Sequence, residues 1–152
     1  MKKIRGFEVI SSYKDKNINL PERKTACSAG YDIEAAEDVL IPSFKPGQKP
    51  VLIKTGLKSY FPNNEVLLIV NRSSNPMKKG LVLANSIGII DADYYNNPDN
   101  EGHIMFAYYN FSESEVTIKK GDRIGQAIFT NFSVVDNDNA SGNRDGGFRV
   151  NQ

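Results

Sequence analysis

The sequence is poor in residues that form covalent or metal crosslinks. It has one cysteine, Cys27, one histidine, His103, and no tryptophan in 152 residues. A single cysteine excludes an internal disulfide and a cysteine-based zinc site, and it fits a reducing compartment. No serine or cysteine motif accompanies His103, so we expect an exposed histidine and not a catalytic base. The basic start of the chain is not followed by an apolar run long enough for a signal peptide or a membrane span, which predicts a cytoplasmic protein.

The sequence also lacks an excess of charge of either sign. It has 19 basic and 18 acidic residues, which leave a formal net charge of +1 at pH 7. No broad electrostatic field then draws the protein to the phosphates of nucleic acid or to an anionic membrane. We expect neither nucleic acid nor membrane among its partners.

A sustained helical repeat of apolar residues is absent as well. Short apolar runs are instead separated by Gly, Pro, Asn and Asp, which is typical of strands and turns. We expect an all-β barrel or sandwich at residues 1–135 and a polar, mobile arm at residues 136–152. Both alternating sets of residues 104–109 are apolar or aromatic, which predicts a strand buried on two faces. The predicted strands are residues 7–10, 39–41, 51–54, 66–70, 81–83, 87–90, 104–109, 116–118 and 124–132.

Residues 82–94 contain the most informative pattern in the chain. Two short apolar runs flank small and polar residues, and Gly88 is free to take backbone angles that other residues avoid, so we expect a tight β-hairpin. Asp91 and Asp93 follow at alternate positions, and in an extended strand both carboxylates would point to one face. One carboxylate could then act on a substrate beside the hairpin, although the same residues also suit a simple polar turn.

A second polar stretch begins at Arg72. Ser73 is a good cap for a short helix that ends near Gly80, and Pro76 suits its first turn. Such an N-terminus, with Arg72 and the hydroxyls of Ser73 and Ser74, would suit an oxyanion or a phosphate. An ordinary capped turn explains the same residues.

Three further stretches are weak when each is taken alone. In Ala29-Gly30-Tyr31-Asp32 the glycine permits an unusual turn, which would place Asp32 at the start of a strand. Asp122 and Arg123 are expected to form a structural charge pair, with Gln126 as a neutral hydrogen-bonding group after them. Phe148 follows two glycines and could fold over a bound base.

Together, and in this order, these stretches resemble the five motifs of the trimeric dUTPase family. The most specific part is Arg72-Ser73-Ser74 followed by Asn85 and by Gly88-Ile89-Ile90-Asp91-Ala92-Asp93-Tyr94. The resemblance covers nearly the whole chain. The matched segments are residues 29–32, 72–80, 88–94, 121–126 and 146–148.

The resemblance implies a distorted β jelly-roll, or β-clip, subunit that assembles as a homotrimer. It also implies hydrolysis of dUTP to dUMP and pyrophosphate with Mg²⁺, which keeps uracil out of DNA and supplies dUMP for thymidylate synthesis. Asp91 would be the general base that activates a water for attack on the α-phosphorus. Asp32 would meet the magnesium ion through a coordinated water.

The same resemblance implies how the nucleotide is bound. Asn85 and the backbone of the following strand would read the uracil edge, and Tyr94 would pack on the deoxyribose and refuse UTP. Phe148 would stack on uracil, and Arg144 would reach the γ-phosphate. Arg72, Ser73, Ser74 and Gln126 would hold the phosphates. The implied substrate-binding residues are Arg72, Ser73, Ser74, Asn85, Gly88, Ile89, Ile90, Tyr94, Met105, Gln126, Arg144 and Phe148.

The sequence departs from the family pattern at several places. Asn71 stands where many members have proline, and we expect this to matter little. Residues 95–101, from Tyr95 to Glu101, form a polar insertion, which we call the inserted segment; it is a candidate to shape the site or to bind a protein partner. Arg144 lies one place later than the family arginine.

Two other functions use related chemistry. A dCTP deaminase shares the hairpin but needs a glutamate base and an alanine-rich nucleotide motif, and neither is evident near Asp91. A nucleotide-sensing regulator would use this fold to bind a protein partner, with hydrolysis as a secondary property.

Overall fold

Short strands carry most of the regular structure in the computed structural model, which describes residues 2–148. The alternation of apolar and polar residues between turn-forming Gly, Pro, Asn and Asp accounts for their length. Three single helical turns, Ser11–Tyr13, Asn75–Lys79 and Ala92–Tyr94, interrupt them. The all-β prediction is confirmed. The strands are β1 Gly6–Val9, β2 Tyr31–Glu34, β3 Val39–Ile41, β4 Val51–Lys54, β5 Leu57–Tyr60, β6 Glu65–Asn71, β7 Leu81–Leu83, β8 Gly88–Asp91, β9 Met105–Asn110, β10 Val116–Ile118 and β11 Arg123–Asn131.

The strands form antiparallel sheets that surround one main core. The largest sheet has the order β2-β11-β6-β8, and a second sheet has the order β4-β9-β7. Two further pairs, β1 with β5 and β3 with β10, complete the described strands. Side chains from both larger sheets meet in the core, where Leu67 of β6 and Phe106 of β9 are fully buried. No helix among residues 2–148 is long and apolar enough to cross a membrane.

The predicted hairpin at residues 82–94 is wrong. β7 pairs with β9, whereas β8 pairs with β6, so the two arms lie in different sheets. Ser86, with a φ of 66°, takes the left-handed conformation in the connecting turn. Gly88 has another role, because a Cβ there would lie 2.2 Å from Cγ1 of the buried Ile69. The glycine therefore allows β8 to pack closely on β6.

Two other expectations about strands need correction. Burial alternates along β9, with Phe106 and Tyr108 fully buried and Met105 and Tyr109 partly exposed. One face of β9 is therefore buried in the core, and the other is only half covered. The strand β5 was not among the predicted strands, because its polar residues conceal the alternation in Leu57-Lys58-Ser59-Tyr60. The strand expected to start near Asp32 is β2, although its bounds were not predicted.

Candidate functional site

One cavity, which we call the Arg72 cavity, gathers polar residues from three adjacent strands of the largest sheet. Asp32 of β2 lies directly opposite Gln126 of β11, which lies opposite Val70 of β6. This register brings the ends of distant segments to one place and leaves a volume of about 530 Å³. The residues that line it are Lys24, Thr25, Ser28, Gly30, Asp32, Asn71, Arg72, Ser73, Ser74, Arg123 and Gln126.

Asp32 is the carboxylate of the Arg72 cavity, and its side chain is 9% exposed. It accepts a hydrogen bond from Nε2 of Gln126 at 3.2 Å and faces a guanidinium nitrogen of Arg123 at 3.7 Å. Gly30 makes room for this arrangement, because a Cβ there would lie 2.7 Å from Oε1 of Gln126. Asp122 does not pair with Arg123 as expected; its carboxylate accepts the backbone N–H of Lys119 at 2.9 Å.

The turn after β6 presents Arg72, Ser73 and Ser74 to the cavity. The helical turn spans Asn75–Lys79 and is preceded by Ser74, one residue after the predicted cap, Ser73. Ser74 itself already has helical backbone angles, with φ −75° and ψ −22°. The hydroxyl of Ser74 makes no cap hydrogen bond. Gly80 ends the turn in the left-handed conformation, near the expected position.

Asparagine side chains, which the sequence reasoning missed, hold this turn in place. Nδ2 of Asn75 donates to Oδ1 of Asn71 at 2.9 Å and to the carbonyl of Ile124 at 3.0 Å. Oδ1 of Asn71 also accepts the hydroxyl of Tyr108 at 3.0 Å, and its Nδ2 donates to the carbonyl of Leu81 at 3.0 Å. Asn71 therefore matters to the site, contrary to expectation. The spacing of the two asparagines by four residues was the available signal.

A second cavity, which we call the Tyr94 cavity, lies beside β8. It has a volume of about 230 Å³ and brings residues of β8 together with the end of the chain. Residue 91 and residue 144 meet here although they are 53 positions apart. The lining residues are Asn85, Ile89, Ile90, Asp91, Tyr94, Arg144, Gly147 and Phe148.

Asp91 and Asp93 face the same cation, but for a different reason from the one expected. β8 ends at Asp91, and the helical turn Ala92–Tyr94 follows, so the two carboxylates do not alternate along a strand. Arg144 bridges them, with Nη2 2.6 Å from Oδ2 of Asp91 and Nε 2.7 Å from Oδ1 of Asp93. These carboxylates raise the pKa of Arg144, chiefly through the hydrogen bond to Asp93.

Tyr94 forms the buried wall of the cavity. Its hydroxyl donates to the carbonyl of His103 at 2.5 Å and accepts from Nδ2 of Asn100 at 2.8 Å. Burial raises the pKa of Tyr94 to about 12, so the phenol stays protonated. The ring of Phe148 stands edge-on with its centroid 5.7 Å away, and Gly147 passes close to the tyrosine ring.

His103 is not the exposed residue that the sequence predicted. It is 6% exposed, its Nε2 accepts the backbone N–H of Gly56 at 2.9 Å, and its ring contacts Tyr13. Burial lowers the pKa of His103 to about 4. The imidazole is therefore a neutral structural group behind the Tyr94 cavity.

The two cavities are well separated within the chain. Asp91 lies opposite Val66 of β6, whereas Gln126 lies opposite Val70. Four residues along the strands and two strand spacings across them place these Cα atoms about 16 Å apart.

Met105 lines neither cavity; it lies in β9 opposite Lys54.

Known proteins are similar to this chain in both sequence and fold. A family model described as dUTPase matches residues 16–149. The deoxyuridine 5'-triphosphate nucleotidohydrolase of Lactococcus lactis is 59% identical over 136 residues, which are 90% of this chain and 88% of that protein. The crystal structure of dUTPase from Streptococcus mutans is 48% identical and superposes with a TM-score of 0.80, covering 86% of this chain and 98% of that one. A mutant dUTPase from phage phi11 of S. aureus, described with a structural Mg(II) ion, has the same fold with a TM-score of 0.70, at 22% identity and with coverage of 92% of this chain and 98% of that one.

Proposed function

Because this chain belongs to the dUTPase family, it is an enzyme that hydrolyses dUTP to dUMP and pyrophosphate, and we propose that its two cavities are the two halves of the active site. The Tyr94 cavity binds the nucleoside and supplies the general base of the reaction, and the Arg72 cavity binds the phosphates. The observation that carries this proposal is the meeting of Asp91, Tyr94 and Arg144 in one cavity. The subunit fold is the distorted jelly-roll of the family.

In the nucleoside half, β8 reads the uracil edge. β8 is the edge strand of its sheet among the described residues, so its outer N–H and C=O groups face away from β6. Edge groups of this kind pair readily with an extended ligand. Asn85 and the backbone of Gly88, Ile89 and Ile90 bind uracil, and the fixed ring of Tyr94 packs on the deoxyribose.

Asp91 acts as the general base. Its carboxylate is 51% exposed, so a water molecule can reach it. The carboxylate takes a proton from this water while the water oxygen attacks the α-phosphorus, and pyrophosphate leaves. A positioned base of this kind contributes about 10²- to 10⁴-fold to the rate.

Arg144 changes partner during the reaction. In the structure its guanidinium pairs with Asp91 and Asp93, and a triphosphate offers it stronger bidentate acceptors. Transfer to the γ-phosphate would free Asp91 to accept a proton. Residues 136–152, of which the structure describes 136–148, then act as an arm that closes over the domain of residues 1–135, with Phe148 stacked on uracil.

The Arg72 cavity suits a phosphate chain with magnesium. Lys24, Arg72 and Arg123 surround a single carboxylate, Asp32, and no group of three or more metal-ligating residues occurs among residues 2–148. One carboxylate suffices for Mg²⁺, because this ion keeps several waters and binds phosphate oxygens. Asp32 would hold it through water, and the bound ion would neutralise charge on the phosphates. Arg72, Ser73, Ser74 and Gln126 hold the phosphate oxygens.

A homotrimer would complete each site. The halves lie about 16 Å apart in one subunit, and the outer face of the largest sheet between them carries Leu68, Ile89 and Ile128 in register. Ile89 is 57% exposed, which favours a subunit contact on this face. Cyclic symmetry can place the Arg72 cavity of one subunit against the Tyr94 cavity of the next. We also place the enzyme in the cytoplasm, where the exposed thiol of Cys27 stays reduced.

Product assays with dUTP, dCTP, dTTP and UTP test this function. We expect pyrophosphate release with dUTP far above the other three nucleotides, stimulated by magnesium. Ammonia release from dCTP would indicate a deaminase, and tight dUTP binding without turnover would indicate a sensor. Sedimentation that shows a fully active monomer at the assay concentration would contradict the trimer.

A further inference from the structure

The inserted segment is fastened to the body of the subunit near both of its ends. The hydroxyl of Tyr95 donates to the carboxylate of Glu8. The carboxylate of Glu101 accepts the backbone N–H and the hydroxyl of Ser11, at 3.1 Å and 3.0 Å, and pairs with Nζ of Lys58 at 2.7 Å. Several strong contacts of this kind fix the course of a loop. The expectation of a protein partner here stays a prediction, but these side chains turn toward the subunit itself.

Two asparagines form the inner part of the inserted segment. Asn97 is 5% exposed, and its Oδ1 accepts the backbone N–H groups of Asp99 and Asn100, at 3.0 Å and 3.1 Å. Its Nδ2 donates to Oδ1 of Asn100 at 2.8 Å. Asn97 therefore holds both the backbone and the side chain of Asn100.

The neighbours of Asn100 decide which way its amide points. Its Oδ1 accepts from Nδ2 of Asn97 and from the backbone N–H of Gly102, both of which can only donate. Its Nδ2 then faces two oxygens, the hydroxyl of Tyr94 at 2.8 Å and the carbonyl of Gly147 at 3.2 Å. Since the Tyr94 hydroxyl donates to a backbone carbonyl, it is free to accept from this amide.

We propose that Asn100 is a positioning residue that joins the arm to the wall of the nucleoside cavity. One NH₂ group holds Tyr94, against which the deoxyribose packs, and also Gly147, which carries Phe148 into place. The inserted segment thus provides a latch for the arm, in addition to the ion pairs of Arg144. The consequences for turnover rest on the proposed function, whereas the latch itself does not.

Removal of the donor tests the latch. Asn100→Asp keeps the size and the accepting oxygen but cannot donate, and Asn100→Ala removes the donor without adding charge. One hydrogen bond of ordinary strength corresponds to about a fivefold shift in an opening equilibrium. We expect trypsin to cut after Arg144 about five times faster in both variants, without nucleotide present, as measured by mass spectrometry.

The kinetics of the same variants test the consequence for the reaction. We expect kcat for dUTP to fall by a similar factor, while the affinity for dUMP, which has no γ-phosphate for Arg144, changes less. Combination with Phe148→Ala should be less than additive, because both residues act through arm closure. Additive effects would indicate a merely structural role for Asn100 and overturn the proposal.

Asn96→Asp is the matched control. It adds the same charge in the same segment and keeps an acceptor for Lys58. The side chain of Asn96 hydrogen-bonds Lys58 and Tyr95. The amide of Asn100, by contrast, bonds to Tyr94 and to the arm. We expect parent values for cleavage and kcat. Cleavage at the parent rate in both Asn100 variants, or an equal change in the control, would overturn the latch. Absence of dUTP turnover in the parent chain would contradict the proposed function instead, and the proteolysis would still report on the latch.

Discussion

Protonation of His103 should make part of the stability of this protein depend on pH. The imidazole is buried, and its unprotonated Nε2 accepts the N–H of Gly56. Burial is the main cause that lowers its pKa from 6.5 to about 4. Lys54 acts in the same direction, while Glu37 and Glu101 oppose it.

The sign and size of the effect follow from proton binding. Between pH 6.5 and 4 the unfolded chain binds more protons at this residue than the native state does. The stability that comes from the neutral imidazole is therefore complete above about pH 6.5 and is lost as the pH falls toward 4. Between pH 7.5 and pH 5 this residue alone should reduce the free energy of unfolding by about 2 kcal/mol.

Urea unfolding of the parent chain and of His103→Gln at pH 7.5 and pH 5 measures this loss. Glutamine can offer an oxygen to Gly56 and does not titrate. Carboxylates with a lowered pKa, such as Glu8 and Glu65, also make the folded protein less stable in acid, but this loss occurs equally in the parent and in the variant. The parent chain and the variant are compared at one protein concentration, because assembly changes apparent stability. We expect the parent to lose about 2 kcal/mol more than the variant; an equal loss in both would refute the reasoning.

Three further predictions concern the site and its support. Asp91→Asn should keep the fold and dUTP binding but remove most turnover, because an amide cannot accept the proton of water; turnover at the parent rate would exclude Asp91 as the base. Truncation after Gly142, which removes Arg144, should cripple hydrolysis and leave the proposed trimer intact in sedimentation, so full activity would show that the arm is dispensable. Gly88→Ala should lower the free energy of unfolding by about 1 to 3 kcal/mol, because the added carbon meets the buried Ile69. A Cβ at Gly142 would meet no heavy atom within 4 Å, so Gly142→Ala should unfold like the parent. Equal stability of the two alanine variants would contradict this account.

Local patterns in the sequence determined most of the strands and the family. Val39–Ile41, Val51–Lys54, Leu81–Leu83 and Val116–Ile118 have the predicted bounds, because apolar runs between turn residues favour strands without help from distant residues. The motifs around Arg72 and Asp91 are contiguous in the chain, so their order and spacing were enough to indicate the dUTPase family.

Only the tertiary structure decided which strands pair and what surrounds each side chain. β7 and β8 are neighbours in sequence, yet each finds its partner in a different sheet. His103 is buried and accepts a hydrogen bond from the backbone of Gly56. Asn100 donates to the carbonyl of Gly147, and Asn71 likewise bonds to groups that are distant in sequence. Strand pairing and the burial of a polar group depend on groups far away along the chain, and the energy of an unsatisfied buried polar group selects among them. The residues next to a polar group in the sequence therefore do not predict which distant residues it will contact.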